Sequence, residues 1–235
     1  MLVTEPIYRP ILFNAERVRA ILSGEKTQTR HMVKHVHSSA TAIVPFGDEW
    51  LVRDEDGIAD ATPINRLRCP HGVIGDRLWV REKWTGSWRG PEASFGMHLV
   101  YAADGSERVI DAPGNYMLPQ VAVKPQSWVT PLFMPRWASR IVLEIADVRV
   151  QRLQDISEED ARAEGVIFDG RWWLGGIHPV KGSLQCWPTA KRAFQALWGE
   201  IHGAGPWDAN PWVWALSFRR VEDAVNGHNH ERETV

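Results

Sequence analysis

The sequence predicts an α+β fold, a small β-barrel with helices attached. Several short segments alternate apolar and polar residues, helical periodicity is confined to a few stretches, and long Pro- and Gly-punctuated runs separate them.

Taken in order, Asn14 is placed to cap a helix whose apolar positions Val18, Ile21 and Leu22 follow helical spacing, and Gly24 ends it. Residues 35–73 are polar and punctuated. They read as an insertion with a hairpin around Trp50-Leu51-Val52 and Gly57. Gly75-Asp76 turns into an alternating strand from Arg77 to Glu82. Residues 85–130 form a second insertion, irregular apart from a strand at His98 to Ala102. Within it Gly114 to Pro131 is a long loop of the functional or mobile kind.

Met134 to Arg140 leads into the clearest strand of the chain. Ile141, Leu143 and Ile145 share one face there and Val142 and Glu144 take the other, with Val148 and Val150 continuing the strand or its partner. Ser157 opens a helix as a variant capping box with Asp160 at the third position, Ile156 serves as a staple, and Glu158, Glu159 and Asp160 suit the positive end of the helix dipole. That helix runs to Glu164 and stops at Gly165. A further helix is predicted from Pro188, with Phe194, Leu197, Trp198 and Ile201 as its apolar stripe and Gly203 as its stop. Pro211 precedes a last strand in which Trp212, Trp214, Leu216 and Phe218 share a face. From Glu222 the chain turns polar, so residues 222–235 are expected to be a disordered tail. There is neither an internal repeat nor a linker, so residues 1–221 read as one domain.

The chain has 235 residues, 44% hydrophobic and 24% charged, enough apolar material for a core. A net charge of -2 excludes a global field drawing the protein to nucleic acid. Locally the balance differs: Arg9, Arg17, Arg19, Lys26, Arg30 and Lys34 face only Glu16 and Glu25, and His31, His35 and His37 extend the run. Such a patch fits a small nucleic-acid or nucleotide footprint better than a long groove. The 13 tryptophans suit core packing, with some as stacking surfaces for bases or sugars. Neither Cys69 nor Cys186 sits in a CxxC, which argues against a zinc site or a disulfide framework, so no metal is expected. No signal peptide and no long apolar run is visible. A cytoplasmic protein with no membrane partner is the expectation.

The stretch Gly24 to Arg30, GEKTQTR, gathers one lysine, two threonines and one arginine. Lys26 and Thr29 share a side if a turn continues through them; a regular strand sends them to opposite faces. An amine beside a hydroxyl is a base and nucleophile pair, whereas a plain polar loop after a helix is the alternative. Arg81 and Glu82 end a strand, and Arg136 and Arg140 flank an aromatic in a manner suited to phosphate contact.

Four segments, VRAILSGEKTQTR (18–30), GDRLWVRE (75–82), ISEEDARAEGV (156–166) and WVWALSFRRV (212–221), together resemble an ASCH domain of the PUA-like superfamily. The long loops and MPRWASR are similar to its bacteriophage and prophage branch. The resemblance implies a small, mostly antiparallel β-barrel with flanking helices, long loop insertions and a cleft for RNA or nucleobases. Family members include amidohydrolases that deacetylate N(4)-acetylcytidine, cleaving a linear amide of a modified nucleoside. Matched segment to segment, their catalytic set falls on Lys26, Thr29 and Glu164, with no cofactor.

In that reading Lys26 removes the proton of Thr29, which attacks the amide carbonyl, and Glu164 orients Lys26 or passes a proton to the departing amine. Arg30, Arg81, Glu82, Arg136 and Arg140 are the expected ligand-binding residues. This chain is longer than the compact amidohydrolases and has one residue fewer between Thr29 and Arg30. A nucleoside or RNA is the expected partner, with DNA left open. A non-catalytic reader of modified or structured nucleic acid and a ribonuclease stand as alternatives.

Overall fold

The computed structural model describes residues 5–34, 36, 40–55, 66–88, 96–111, 127–177, 184–203 and 205–221. The predicted tail, Gly57, His35, His37 and residues 114–126 of the predicted long loop lie outside them. The fold is mixed α+β, mostly strands with few helices. In chain order the elements are β1 (Tyr8–Leu12), α1 (Ala15–Leu22), β2 (Gln28–Met32), β3 (Ala42–Phe46), β4 (Glu49–Arg53), β5 (Arg66–Leu67), β6 (Arg77–Arg81), β7 (Trp84–Trp88), β8 (Gly96–Tyr101) and β9 (Glu107–Asp111). They continue with β10 (Val142–Arg152), α2 (Glu158–Ala163), β11 (Ile167–Phe168), β12 (Trp173–Ile177), β13 (Leu184–Trp187), α3 (Ala190–His202), α4 (Gly205–Asp208) and β14 (Trp212–Val221). Among the described residues no helix is long and apolar enough to cross a membrane.

The chain divides into two compact units. The first comprises Met1–Leu22, Arg77–Glu144 and Arg220–Val235. Here β1 pairs parallel with β6, and β6 pairs antiparallel with the opening residues of β10, Val142 to Glu144. The sequence hid β1, because Pro10 interrupts it. As an edge strand with one neighbour, β1 tolerates the missing N–H. The side-chain oxygen of Asn14 accepts from the backbone N–H of Arg17 at 3.0 Å, and α1 buries Val18, Ala20 and Ile21. The strands β7, β8 and β9 form an antiparallel meander over a core of Trp84, Met97, Leu99, Tyr101, Val129, Met134 and Ala138.

The second unit comprises Ser23–Asp76 and Ile145–Arg219. Its sheet runs β10, β14, β2, with β14 and β2 antiparallel and Leu216 opposite Thr29. The expected alternation in β14 understates its burial: Val213 and Ala215 are as enclosed as Trp214 and Leu216, so the strand has two covered faces. Trp50-Leu51-Val52 of the predicted hairpin lie in β4, but β4 pairs with β3 across a turn at Gly47-Asp48, ahead of the predicted hairpin residues, and β5 adds a third strand. A further small sheet, β11–β12–β13, packs against α3 around Phe194 and Trp198. Among the described residues every sheet ends in edge strands and none closes into a barrel.

Local capping sets the ends of α2 and α3. Ser157 caps α2 by accepting from the Asp160 N–H at 3.0 Å, and Glu164 closes the helix just before Gly165, whose φ of 90° is open to glycine. For α3, Thr189 is the cap, accepting from Arg192 N–H at 3.2 Å, so the helix starts two residues after Pro188. Its buried stripe is Ala190, Ala193, Phe194 and Trp198; Ile201 lies outside it and is exposed.

Candidate functional site

The second unit gathers a compact charged cluster where the segment before β2 meets the end of α2. Gly24, at φ 82°, lets the chain leave α1 and turn. Thr27 N–H then donates to Ala163 carbonyl at 2.8 Å, Phe218 N–H donates to Thr27 carbonyl at 2.9 Å, and Lys26 and Glu164 form an isolated antiparallel bridge. Backbone hydrogen bonds alone thus pin the chain around Lys26 from two sides.

The strand pleat then decides which side chains meet. Gln28 and Arg30 share one face of β2 and both reach Asp160 on α2. The Lys26 amine joins them, donating to the Gln28 carbonyl at 2.6 Å, the Glu164 carbonyl at 2.9 Å and Oε2 of Glu164 at 2.8 Å. Oε1 of Glu164 accepts from Nη1 of Arg30 at 3.0 Å. Arg30 also donates from Nη2 to Asp160 Oδ2 at 2.8 Å and from Nη1 to Gln28 Oε1 at 3.2 Å. Two cations and two carboxylates therefore alternate, with Glu164 bridging Lys26 and Arg30. The side chains of Lys26 and Arg30 are both 0% exposed. The guanidinium carbon of Arg30 lies 5.8 Å from the Phe194 ring centre on α3.

Burial pushes the Asp160 carboxyl up, but hydrogen bonds from Gln28 and Arg149 and the charges of Arg30 and Arg149 outweigh it. The group is held below the ordinary carboxylate range. The three oxygen acceptors around Lys26 match the three donors of an ammonium. One polar atom of the cluster is left over: Nε of Arg30 is buried and has no hydrogen-bond partner among the described residues.

Of the sequence-derived catalytic set, the structure brings Lys26 and Glu164 into direct contact. Thr29 is buried too, but it does not join them. Lying in β2 between Gln28 and Arg30, it projects to the other face of the strand. Arg30 belongs to the cluster. The remaining candidates lie in the first unit. There Glu82 and Arg140 form a fork-to-fork pair, Nε to Oε1 at 2.8 Å and Nη2 to Oε2 at 2.9 Å. Arg140 also binds Asp104 at 2.9 Å and the Ser106 hydroxyl, with its guanidinium carbon 4.2 Å from the Tyr101 ring centre. Burial raises the Glu82 carboxyl above its usual range despite Arg140. Arg81 donates to the Leu132 carbonyl at 3.2 Å and covers the Trp79 ring, and Arg136 sits 3.8 Å from the Tyr8 ring centre.

Sequence reasoning missed Gln28, Asp160 and Arg149 in this role. Two of them carried a readable signal: Gln28 is two residues before Arg30 on one strand face, and Asp160 is four before Glu164 on one helix face. Among the described residues no group of three or more His, Cys, Asp or Glu side chains is placed to hold a metal ion. Comparison of the chain with family models, with curated proteins and with solved structures gives no match.

Proposed function

We propose that this protein is an ASCH-type, PUA-like binder of a nucleoside or an RNA base, and that its ligand is held at the Lys26–Glu164–Arg30 cluster. The observation that carries this is the unmet donor within the cluster. A buried guanidinium N–H without an acceptor costs roughly 1–3 kcal/mol, and the three buried charges of Lys26, Arg30 and Glu164 add a desolvation cost that a core of apolar residues avoids. A recognition site explains that cost: a carbonyl oxygen of a pyrimidine would take the Arg30 Nε donor, and Lys26 and Glu164 offer a cation and an acceptor beside it.

Binding is favoured over hydrolysis by the face on which Thr29 lies and by the three acceptors around Lys26. A nucleophile must sit within hydrogen-bond reach of its base, and a base must be able to lose its proton. The contact between Lys26 and Glu164 keeps amide hydrolysis as the second reading, with N(4)-acetylcytidine as its substrate.

The test is calorimetric titration with cytidine and N(4)-acetylcytidine, combined with chromatography for released cytidine. The expected result is binding without release, weakened in Lys26→Ala and Glu164→Gln. Release that disappears in Lys26→Ala would establish the hydrolase. Neither binding nor release by well-folded protein would sink both.

A further inference from the structure

The tip of the β11–β12 hairpin carries an apolar surface that packing within the second unit does not explain. Every residue from Ile167 to Trp172 is exposed, including Ile167 at 46%, Phe168 at 51% and Trp172 at 38%. Exposed apolar residues on a floppy loop would be ordinary, but this tip is tied. Oδ1 of Asp169 accepts from the N–H groups of Arg171 at 2.8 Å and Trp172 at 2.6 Å, and Asp169 N–H donates to the Trp172 carbonyl at 3.0 Å. Phe168 and Trp173 are cross-strand partners with ring centres 4.9 Å apart. The tip backbone and the Phe168–Trp173 ring pair are therefore held in place.

Cations accompany them. The guanidinium carbon of Arg162 lies 5.0 Å from the Trp173 ring centre and that of Arg171 lies 5.7 Å from the Trp172 ring centre, and both arginines are exposed. The single acidic group at the tip, Asp169, is committed to two backbone N–H groups, which hold its carboxyl below the ordinary range. Rigid aromatic faces interleaved with solvent-facing guanidiniums are what a single-stranded nucleic acid needs. Bases stack on the rings without regard to sequence, and phosphates meet the arginines.

We infer that the β11–β12 tip is a stacking platform for single-stranded nucleic acid, with Phe168 and Trp172 taking bases and Arg162 and Arg171 taking phosphates. It shares a ligand class with the proposed function but none of its residues. The two separate experimentally, because a free nucleoside tests the buried cluster and a chain tests the platform.

The experiment is fluorescence anisotropy with a short fluorescein-labelled oligouridylate, across a salt series. Phe168→Ala/Trp172→Ala should weaken binding by about tenfold or more, and Phe168→Tyr/Trp172→Phe should restore it, since stacking asks only for a ring. Arg162→Ala/Arg171→Ala should lower the slope of log affinity against log salt by about 0.7 for each phosphate no longer neutralised. All of these positions are exposed, and circular dichroism of each variant checks the fold. Cytidine binding should be the same in every platform variant. Wild-type protein that does not bind the oligonucleotide, or binding that neither double variant changes, overturns the inference. So does finding that the aromatic variants abolish self-association or vesicle binding while oligonucleotide affinity stays constant.

Discussion

The amine of Lys26 lies 2.8 Å from Oε2 of Glu164 across 138 residues of sequence, and the other oxygen of that carboxylate holds Arg30. Removing Glu164 alone leaves two buried cations with one remaining carboxylate, Asp160. Breaking a buried pair in this way costs about 3–5 kcal/mol. Glu164→Ala should therefore lower the urea midpoint sharply, with the slope of the transition preserved. Lys26→Met combined with Glu164→Leu removes one charge of each sign and leaves Arg30 paired with Asp160, so the double variant should be more stable than Glu164→Ala. Strict additivity of Lys26→Met and Glu164→Leu, each measured singly, in that double variant would show that the residues do not act as a unit.

A second prediction concerns acid. Burial pushes the Asp104 carboxyl up, but hydrogen bonds from Arg140 and from Ser106 prevail and bring it to about 2 in the folded protein. In the unfolded chain an aspartate titrates near about 3.9. A carboxyl depressed by folding contributes stability that is complete above the unfolded value and fades as pH falls toward the folded one. Melting temperature should thus drop between about pH 4 and pH 2, and Asp104→Asn should flatten the profile over that window. Asp160 acts with the same sign. Glu82, raised by burial, acts with the opposite sign, opposing folding as pH climbs past its unfolded value. An Asp104→Asn profile parallel to that of the wild type would mean that Asp104 does not drive the acid transition.

Much of the fold was readable from local pattern. Asn14 and Ser157 announced their helices because a cap is a contact over three residues, and Gly165 marked the end of α2 for the same local reason. The meeting of Lys26 with Glu164 followed only from a resemblance of segments, since no spacing rule links residues so far apart. Thr29 was ambiguous because its face depends on whether the segment is a turn or a strand, and the pairing of Gln28 to Met32 with β14 makes Thr29 a strand residue. Open sheets in place of a barrel, and burial of β14 on both faces, arise from long-range packing that alternation cannot encode.

The close approach of β12 to α3 supplies a third prediction. A Cβ built on Gly175 would lie 2.0 Å from the carbonyl oxygen of Ala193 and 2.5 Å from its Cα, and backbone cannot step aside as a side chain does. Gly175→Ala must therefore push α3 off the small sheet, at a cost of about 3 kcal/mol or more. Gly199→Ala meets nothing within 4 Å and sits inside α3, where alanine is the better helix former by about 1 kcal/mol. Urea unfolding of the two variants should shift in opposite directions; a neutral Gly175→Ala would mean that the strand and helix separate freely.

The last prediction separates recognition from catalysis at the buried cluster through Thr29 and Lys26. Thr29→Val keeps the shape of a buried side chain and deletes only its hydroxyl, on the face of β2 away from Gln28 and Arg30. If the cluster binds a nucleoside, that change should leave the calorimetric Kd within about twofold. Lys26→Ala removes a charged donor, commonly a loss of about 1.5–3 kcal/mol, so affinity should fall by about tenfold or more. If the protein hydrolyses N(4)-acetylcytidine with Thr29 as nucleophile, the pattern inverts: Thr29→Val abolishes cytidine release while binding persists. Equal loss of affinity in both variants, with the fold intact, would mean that ligand reaches both faces of β2, contrary to a site confined to the Gln28 and Arg30 face.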